Sequence, residues 1–265
     1  KPAMPETAAV LDATGVAKRF GAVQALKNAS LQVGPGQVVA LMGANGAGKS
    51  TFVKILTGVL KPDAGHVRIK GRDSTVANPA GARKWGLVPV YQEPSLIPDL
   101  SVADNLRLGD TALEPFRHWV AELGLPDLDP EAMIRSLPLA SLRIVDLARA
   151  LAIEPDVLLL DELTAALPTD LVERVLRTVR AQADAGRSVI YISHRFTEIA
   201  AICDRATVLR DGLTVGDVAI EPGIEERIVE MMLGGAVAAA MTETRPAGAA
   251  STETPRLSVR NLKTG

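Results

Sequence analysis

The chain is poor in cysteine and aromatic residues and carries no excess of charge of either sign. Its one cysteine, Cys203, excludes an internal disulfide and a cysteine-ligated zinc site, and it suits a reducing compartment such as the cytosol. Lysine and arginine total 29 against 31 acidic residues, so the net charge is −2. Without a strong basic field to attract phosphate backbones, sequence-independent binding of nucleic acid is not expected.

Long apolar runs are also missing. The longest, residues 38–42 and 157–160, fall far short of the roughly 20 residues that span a bilayer. Residues 1–7 lack the apolar segment of a secretion signal. We therefore expect no membrane-crossing segment, and any membrane contact to come through a partner. The 47% of apolar residues still allow a sizeable core, which aliphatic side chains must fill because aromatic residues make up only 3%.

Short aliphatic runs alternate with helical patterns along most of the chain. The runs at residues 37–42, 156–160 and 188–192 are typical of strands buried on both faces of a sheet. Between the last two, Pro168 opens a predicted helix and Gly186 ends it. The apolar face of this helix is predicted to hold Leu171, Val175, Leu176 and Val179. The sequence therefore predicts an α/β fold with a largely parallel sheet.

Residues 101–152 have a different pattern, with helical spacing and no clear strand. Apolar residues recur there at Ile144, Leu147, Ala148 and Leu151. We predict a helical subdomain over about residues 93–152, inserted into a domain that spans residues 8–235.

The composition changes after Leu233 to Gly, Ala, Thr, Ser and Pro, which predicts a linker over residues 236–255. The apolar spacing of residues 257–262 then repeats that of residues 11–16. Two interpretations stay open. Residues 256–265 begin a second, truncated copy of the domain, or they form an unstructured tail.

A phosphate-binding loop is predicted between a strand and a helix. Residues 43–50 fit the pattern G-x-x-x-x-G-K-[ST], in which glycines let backbone N–H groups converge on phosphate oxygens at a helix N-terminus. Lys49 is expected to reach the β- and γ-phosphates, and the Ser50 hydroxyl to bind Mg²⁺. The alternative is a glycine-rich turn before an ordinary helix. The predicted nucleotide contacts are Gly43, Ala44, Asn45, Gly46, Ala47, Gly48, Lys49, Ser50 and Thr51.

Polar residues follow three further predicted strands, at the edge where open α/β sheets bind ligands. Asp161 is expected to hold Mg²⁺ and Glu162 to polarise the attacking water. His194 is a candidate donor to a γ-phosphate, and Gln92 a candidate ligand for Mg²⁺ or for the water. For each of these residues considered alone, the alternative interpretation is an exposed polar residue at the end of a strand, with no role in catalysis.

The order of five elements along the chain resembles that of the nucleotide-binding cassette of ATP-binding cassette (ABC) transporters. These elements are Phe20, the phosphate-binding loop, Gln92, the Asp161-Glu162 pair and His194. The resemblance covers about residues 10–233. Within that superfamily, residues 91–105 and 191–212 resemble the carbohydrate-import class, which carries two cassettes on one chain.

This resemblance implies a P-loop NTPase core, with a mixed and largely parallel sheet, an N-terminal antiparallel β part and the inserted helical subdomain. It also implies that Phe20 stacks on adenine and that Gln92 couples the nucleotide to the membrane partner. It further implies that residues 164–167 cross between cassettes and that the helical insertion receives a coupling helix of a permease.

The function implied by the resemblance is that of an ATPase which energises a sugar importer, with ATP and Mg²⁺ as cofactors. The implied partners are a second cassette, on the same full-length chain or in a homo-oligomer, membrane permease subunits and, indirectly, an extracytoplasmic sugar-binding protein. The protein would lie in the cytoplasm, on the inner face of the cell membrane.

The sequence departs from the family in the segment that normally reads Leu-Ser-Gly-Gly-Gln. Here residues 137–142 read Leu-Pro-Leu-Ala-Ser-Leu, so Pro138 offers no hydroxyl or N–H and Ala140 adds a Cβ. Leu163 also replaces the usual proline after the glutamate. In the family this segment serves the ATP site of the opposite cassette, so we expect that other site to be weakened. The site around Lys49 and Glu162 would need the same segment from a second cassette, so we expect the isolated fragment to bind ATP and hydrolyse it poorly. The alternative function is a regulatory cassette that binds ATP with little hydrolysis.

Overall fold

One ten-stranded sheet runs through residues 9–73 and 78–234, which are the residues described by this computed structural model. The strands are β1 Leu11–Phe20, β2 Val23–Val33, β3 Val38–Met42, β4 Ala64–Ile69, β5 Arg72–Asp73, β6 Leu87–Val90, β7 Val157–Asp161, β8 Ser188–Ile192, β9 Arg205–Arg210 and β10 Leu213–Ala219. The helices are α1 Lys49–Leu56, α2 Pro79–Lys84, α3 Val102–Leu108, α4 Leu113–Glu122, α5 Leu139–Ala152, α6 Thr169–Asp184, α7 Phe196–Ile202 and α8 Glu225–Leu233. Two short 3-10 helices, Ile134–Ser136 and Leu163–Ala166, complete the set.

The order of strands across the sheet is β5-β4-β1-β2-β10-β9-β3-β8-β7-β6. Strands β9, β3, β8, β7 and β6, which are consecutive in this order, run parallel. At the other end of the sheet, the pairs β5–β4, β4–β1 and β1–β2 are antiparallel. Strand β10 is antiparallel to β9 and pairs with β2 in parallel at Leu213 and Asn28. The predicted mixed α/β sheet with an N-terminal antiparallel part is confirmed.

The central strands are apolar throughout because both of their faces are covered. In β3, Val38, Ala40 and Met42 pack into one core, and Val39 and Leu41 pack into a second core on the opposite face. Strands β7 and β8 alternate in the same way. This two-residue alternation explains why the sequence shows continuous aliphatic runs here rather than apolar and polar residues in turn.

Helix α6 covers one face of the sheet and largely follows the prediction. It begins at Thr169 after Pro168, and Gly186 follows its end with a φ of 92°. Val175 and Val179 are buried as predicted, and Val172, which the periodicity did not single out, is buried beside them. Leu171 and Leu176 are only partly buried. Helix α1 covers the opposite face with the side chains of Phe52, Val53, Ile55 and Leu56.

The segment from residue 101 to residue 152 is helical, as predicted, with α3, α4 and α5 and a single β-bridge between Ser101 and Met133. All four periodic residues of α5 are buried against the first core. Within residues 9–73 and 78–234, no helix combines the length and the hydropathy that a membrane crossing requires. The predicted domain end at residue 235, the linker over 236–255 and the repeat at 256–265 lie outside the described residues.

Candidate functional site

The predicted phosphate loop connects β3 to α1, and close packing requires glycine at two of its positions. A Cβ on Gly43 would lie 2.4 Å from the Leu209 carbonyl oxygen, and a Cβ on Gly48 would lie 2.7 Å from the Ala25 carbonyl oxygen. Both glycines also have positive φ angles, of 155° and 105°. The loop can therefore pass close to neighbouring strands only because these residues have no side chain.

Hydrogen bonds hold the loop against the turn between β9 and β10. The Gly212 N–H donates to the Ala47 carbonyl at 3.1 Å, and the Lys27 N–H of β2 donates to the Gly212 carbonyl at 2.8 Å. The Lys49 ammonium group donates to the carbonyls of Gly43 and Ala44, at 2.5 and 3.2 Å. The loop is thus bonded to the turn between β9 and β10, that turn is bonded to β2, and the lysine ammonium lies against carbonyls of the loop itself.

A cavity of about 690 Å³ opens in front of this loop. It brings the loop together with the polar residues at three strand ends, which are Gln92, Asp161, Glu162 and His194. The loop contributes Asn45, Gly46, Gly48, Lys49, Ser50 and Thr51 to its walls. The remaining lining residues are Val23, Gln24, Ala25, Lys27, Asp211 and Gly212.

Four of the predicted contacts do not line this cavity. Gly43, Ala44 and Ala47 belong to the loop but are not among the residues that line the opening. Phe20 lies at the end of β1 and is 47% exposed, and the Lys18 ammonium is 5.8 Å from the centroid of its ring. Any stacking of Phe20 on a base therefore takes place beyond the cavity lined by the loop.

The acidic residues and the histidine meet because their strands are neighbours in the sheet. Asp161 is the last residue of β7 and pairs in register with Ile192 of β8. The Glu162 N–H then donates to the Ile192 carbonyl at 3.0 Å, and Glu162 adopts a left-handed conformation with a φ of 48°. This geometry leaves the His194 Nε2 atom 2.5 Å from the Glu162 Oε1 atom.

The charges of the site shift the pKa values of two of its residues. Burial, helped by the neighbouring Glu162, raises the pKa of Asp161, while Lys49 and His194 act in the opposite direction. Burial lowers the pKa of Lys49, against the pull of Glu162 and Asp161. An ionised Asp161 is therefore costly in this site, and a cation beside it would relieve that cost.

The oxygen donors at the cavity suit a magnesium ion that is bound together with phosphates. Ser50, Gln92 and Asp161 all line the same opening. Among the described residues, no group of three or more His, Cys, Asp or Glu side chains is arranged to hold a metal ion. Mg²⁺ prefers one or two carboxylates supplemented by water and substrate phosphates over an all-protein cage, so this sparse donor set fits it.

Sequence reasoning missed a buried arginine behind the catalytic candidates. The Arg143 Nη1 atom of α5 donates to the carbonyls of Glu162 and Leu163, at 2.8 and 2.9 Å, and the side chain is only 6% exposed. A signal was present, because Arg143 lies one helical turn before Leu147, on the face of α5 that packs inward. The helix itself begins at Leu139 after Pro138, which makes no side-chain capping bond.

Comparisons with known proteins point to one family. The family described as ABC transporter matches residues 26–165. A ribose import ATP-binding protein RbsA 1 from Mesorhizobium japonicum is 37% identical over 259 residues, covering 94% of this chain and 50% of that protein. A ribose import ATP-binding protein RbsA 2 from Streptomyces avermitilis is 42% identical over 239 residues, covering 86% of this chain and 47% of that protein. The chain spans about half the length of these curated relatives.

Solved structures share the same fold. The ADP conformation of an ATP-binding cassette of an ABC transporter has a TM-score of 0.74 and 25% identity, covering 86% of this chain and all of that one. A bacterial Atm1-family ABC exporter with ATP bound has a TM-score of 0.73 and 26% identity, covering 85% of this chain and 42% of that one.

Proposed function

This chain belongs to the ABC transporter family, and we propose that it is the ATP-binding and ATP-hydrolysing cassette of a sugar importer. The observation that carries the proposal is the single cavity at which the phosphate loop meets Gln92, Asp161, Glu162 and His194. The relatives named for ribose import favour a pentose as the transported sugar.

ATP would enter with its phosphates against the loop. The first residues of α1, Lys49, Ser50 and Thr51, line the cavity, and the helix N-terminus adds partial positive charge there. Lys49, whose ammonium lies over the loop, would exchange its carbonyl partners for the β- and γ-phosphates. Asp161, Ser50 and Gln92 would hold Mg²⁺, which would supply positive charge to offset that of the phosphates.

Hydrolysis needs a base beside the terminal phosphate, and Glu162 supplies it. Its carboxylate lies at the cavity and is only 21% exposed, so it can take a proton from an attacking water. His194 contacts the same carboxylate at 2.5 Å and is 53% exposed, which leaves its ring able to reach the nucleotide. The two residues act together, with Glu162 as general base and His194 as the group that senses the terminal phosphate.

The remaining assignments concern the whole protein. We propose a domain over residues 8–235, a linker over 236–255 and the start of a second cassette at 256–265. ATP would close two cassettes against each other, and hydrolysis would reopen them. A membrane permease would be driven through the helical subdomain at the inner face of the membrane, and a sugar-binding protein would deliver the solute.

A second candidate function is a regulatory cassette that binds ATP with little turnover. It is favoured by Pro138, Ala140 and Leu163, which depart from the family pattern. The test that separates the two is uptake of labelled ribose by the full-length protein in proteoliposomes with its permease. Loss of ATP-dependent uptake with Glu162→Gln, which leaves the loop around Lys49 able to bind MgATP, but not with Glu173→Gln on the exposed side of α6, supports transport driven by hydrolysis at this site. Uptake that persists in Glu162→Gln would favour the regulatory cassette.

A further inference from the structure

We propose that the buried residue Glu198 is a positioning residue, which holds the loop after Glu162 and the loop before His194 in fixed relation. This inference rests on the proposed function, because it concerns how the two catalytic residues are kept in place. Glu198 lies on α7 and is 4% exposed, so its carboxylate is almost fully removed from water.

A single oxygen of Glu198 accepts hydrogen bonds from both loops. Its Oε2 atom accepts from the Thr164 hydroxyl at 2.8 Å, and Thr164 lies two residues after Glu162. The same oxygen accepts from the Ser193 hydroxyl at 2.7 Å, and Ser193 directly precedes His194. One buried atom therefore joins the two chain segments that carry the general base and the histidine.

Two neighbours fix the direction of these bonds. The Ser193 oxygen also accepts the Arg195 N–H at 3.1 Å, so its own hydrogen is free to point at Glu198. The Tyr191 hydroxyl donates to Oε2 at 2.7 Å, and burial raises the pKa of Tyr191, which keeps it a donor. The second oxygen, Oε1, accepts from the Arg195 guanidinium at 3.2 Å.

The free-energy cost of burying the Glu198 carboxylate indicates a role beyond packing. A carboxylate is seldom buried to this degree, because its desolvation must be offset by several hydrogen bonds. Of the four groups that face Glu198, those of Thr164, Ser193 and Arg195 lie within two residues of Glu162 or His194, and that of Tyr191 lies on β8, the strand that leads to His194. Displacing such groups by about 1 Å can lower a rate roughly 100-fold. The network thus serves the contact between His194 and Glu162.

The test compares Glu198→Gln with Glu173→Gln in the full-length protein. Glu173 is an exposed acid on α6, so its variant controls for the loss of one charge. We expect Glu198→Gln to lower kcat at least about tenfold while the Kd for MgATP stays within about twofold, since the hydrogen bonds of Glu198 go to residues outside the phosphate loop. Thr164→Val and Ser193→Ala, which each remove one hydroxyl donor, should give smaller decreases in kcat.

A second readout does not depend on hydrolysis. The NMR signal of the His194 ring, assigned by its disappearance in His194→Ala, should shift in Glu198→Gln and stay unchanged in Glu173→Gln. A His194 signal that does not shift in Glu198→Gln would overturn the positioning role. So would a variant whose kcat, Kd and melting temperature all change together. If the wild type does not hydrolyse ATP at all, the proposed function fails, and the His194 signal still decides whether Glu198 positions that residue. If Glu198→Gln does not fold, Thr164→Val and Ser193→Ala provide the same two measurements.

Discussion

The His194 Nε2 atom lies 2.5 Å from the Glu162 Oε1 atom, and this contact joins the ends of two adjacent parallel strands. Neither residue belongs to the phosphate loop. Both face the cavity in which Lys49 and Ser50 lie. The proposed site therefore has two parts that can be tested separately, the loop that we propose binds phosphates and the pair of strand ends that we propose carries out hydrolysis.

Replacing Lys49 should abolish most binding of MgATP. Lys49→Ala removes the one loop cation that faces the cavity among the described residues, and a charge-assisted bond to phosphate contributes about 1.5–3 kcal/mol. We expect a loss of affinity of about 10- to 100-fold or more by titration calorimetry. Lys54→Ala, on the exposed side of the same helix, is the matched control. An affinity that is equal in the two variants would refute the role of Lys49.

Replacing Asp161 by Asn should stabilise the nucleotide-free protein. The pKa of Asp161 is raised in the fold by burial and by Glu162, so the folded chain binds this proton more tightly than the unfolded chain. Ionisation of Asp161 therefore costs stability above its raised pKa, and the cost disappears as the pH falls through that pKa.

The measurement is the melting temperature of wild type and Asp161→Asn from neutral to acidic pH. The variant should melt higher near pH 7, and the difference should shrink in acid. Addition of MgATP should raise the melting temperature of the wild type and affect Asp161→Asn much less. Glu122→Gln, an exposed acid on α4, controls for the loss of charge. A variant that melts lower than wild type at neutral pH contradicts this prediction.

Substitution by alanine should destabilise the protein more at Gly43 than at Gly46. Gly46 has a φ of 82° and open space around its missing Cβ, so Gly46→Ala carries only the cost of the left-handed backbone, about 1–2 kcal/mol. In Gly43→Ala the new Cβ would also lie 2.4 Å from the Leu209 carbonyl oxygen. Urea unfolding should therefore show a clearly larger loss for Gly43→Ala. Equal losses would mean that the packing between the loop and β9 is looser than described.

Removing the guanidinium of Arg143 should destabilise the segment after Glu162. Arg143→Met leaves the carbonyls of Glu162 and Leu163 buried without this donor, at a cost of about 1–3 kcal/mol. Arg143→Lys keeps one donor and should lose less. Urea unfolding measures the difference, with Arg177→Met on the exposed side of α6 as control. A loss no larger than that of the control would show that the two carbonyls find other donors.

The parts of the fold that follow local patterns could be predicted from the sequence. Strands β3, β7 and β8 are buried on both faces, so their apolar runs are unbroken, and the glycine and lysine spacing of the loop is specific to its geometry. The order of strands across the sheet depends on contacts between distant segments. The pairing of β3 with both β8 and β9 has no local signal.

Two buried charged residues also escaped the sequence analysis. Arg143 and Glu198 are polar residues that ordinary expectation places on the surface. Their partners lie far along the chain, since Arg143 contacts a carbonyl 19 residues away and Glu198 contacts a hydroxyl 34 residues away. Phe20 is not among the residues that line the cavity, and its stacking on adenine stays a prediction from the family resemblance.

The most direct test of the catalytic site is the steady-state ATPase activity of the full-length protein with its permease in liposomes, for wild type and Glu162→Gln. If Glu162 is the general base, the variant should lose about 10²- to 10⁴-fold in kcat while it still binds MgATP, because the amide cannot take the proton. Turnover retained at the wild-type rate would contradict this account, since hydrolysis would then be carried out at a site other than the one around Lys49 and Glu162.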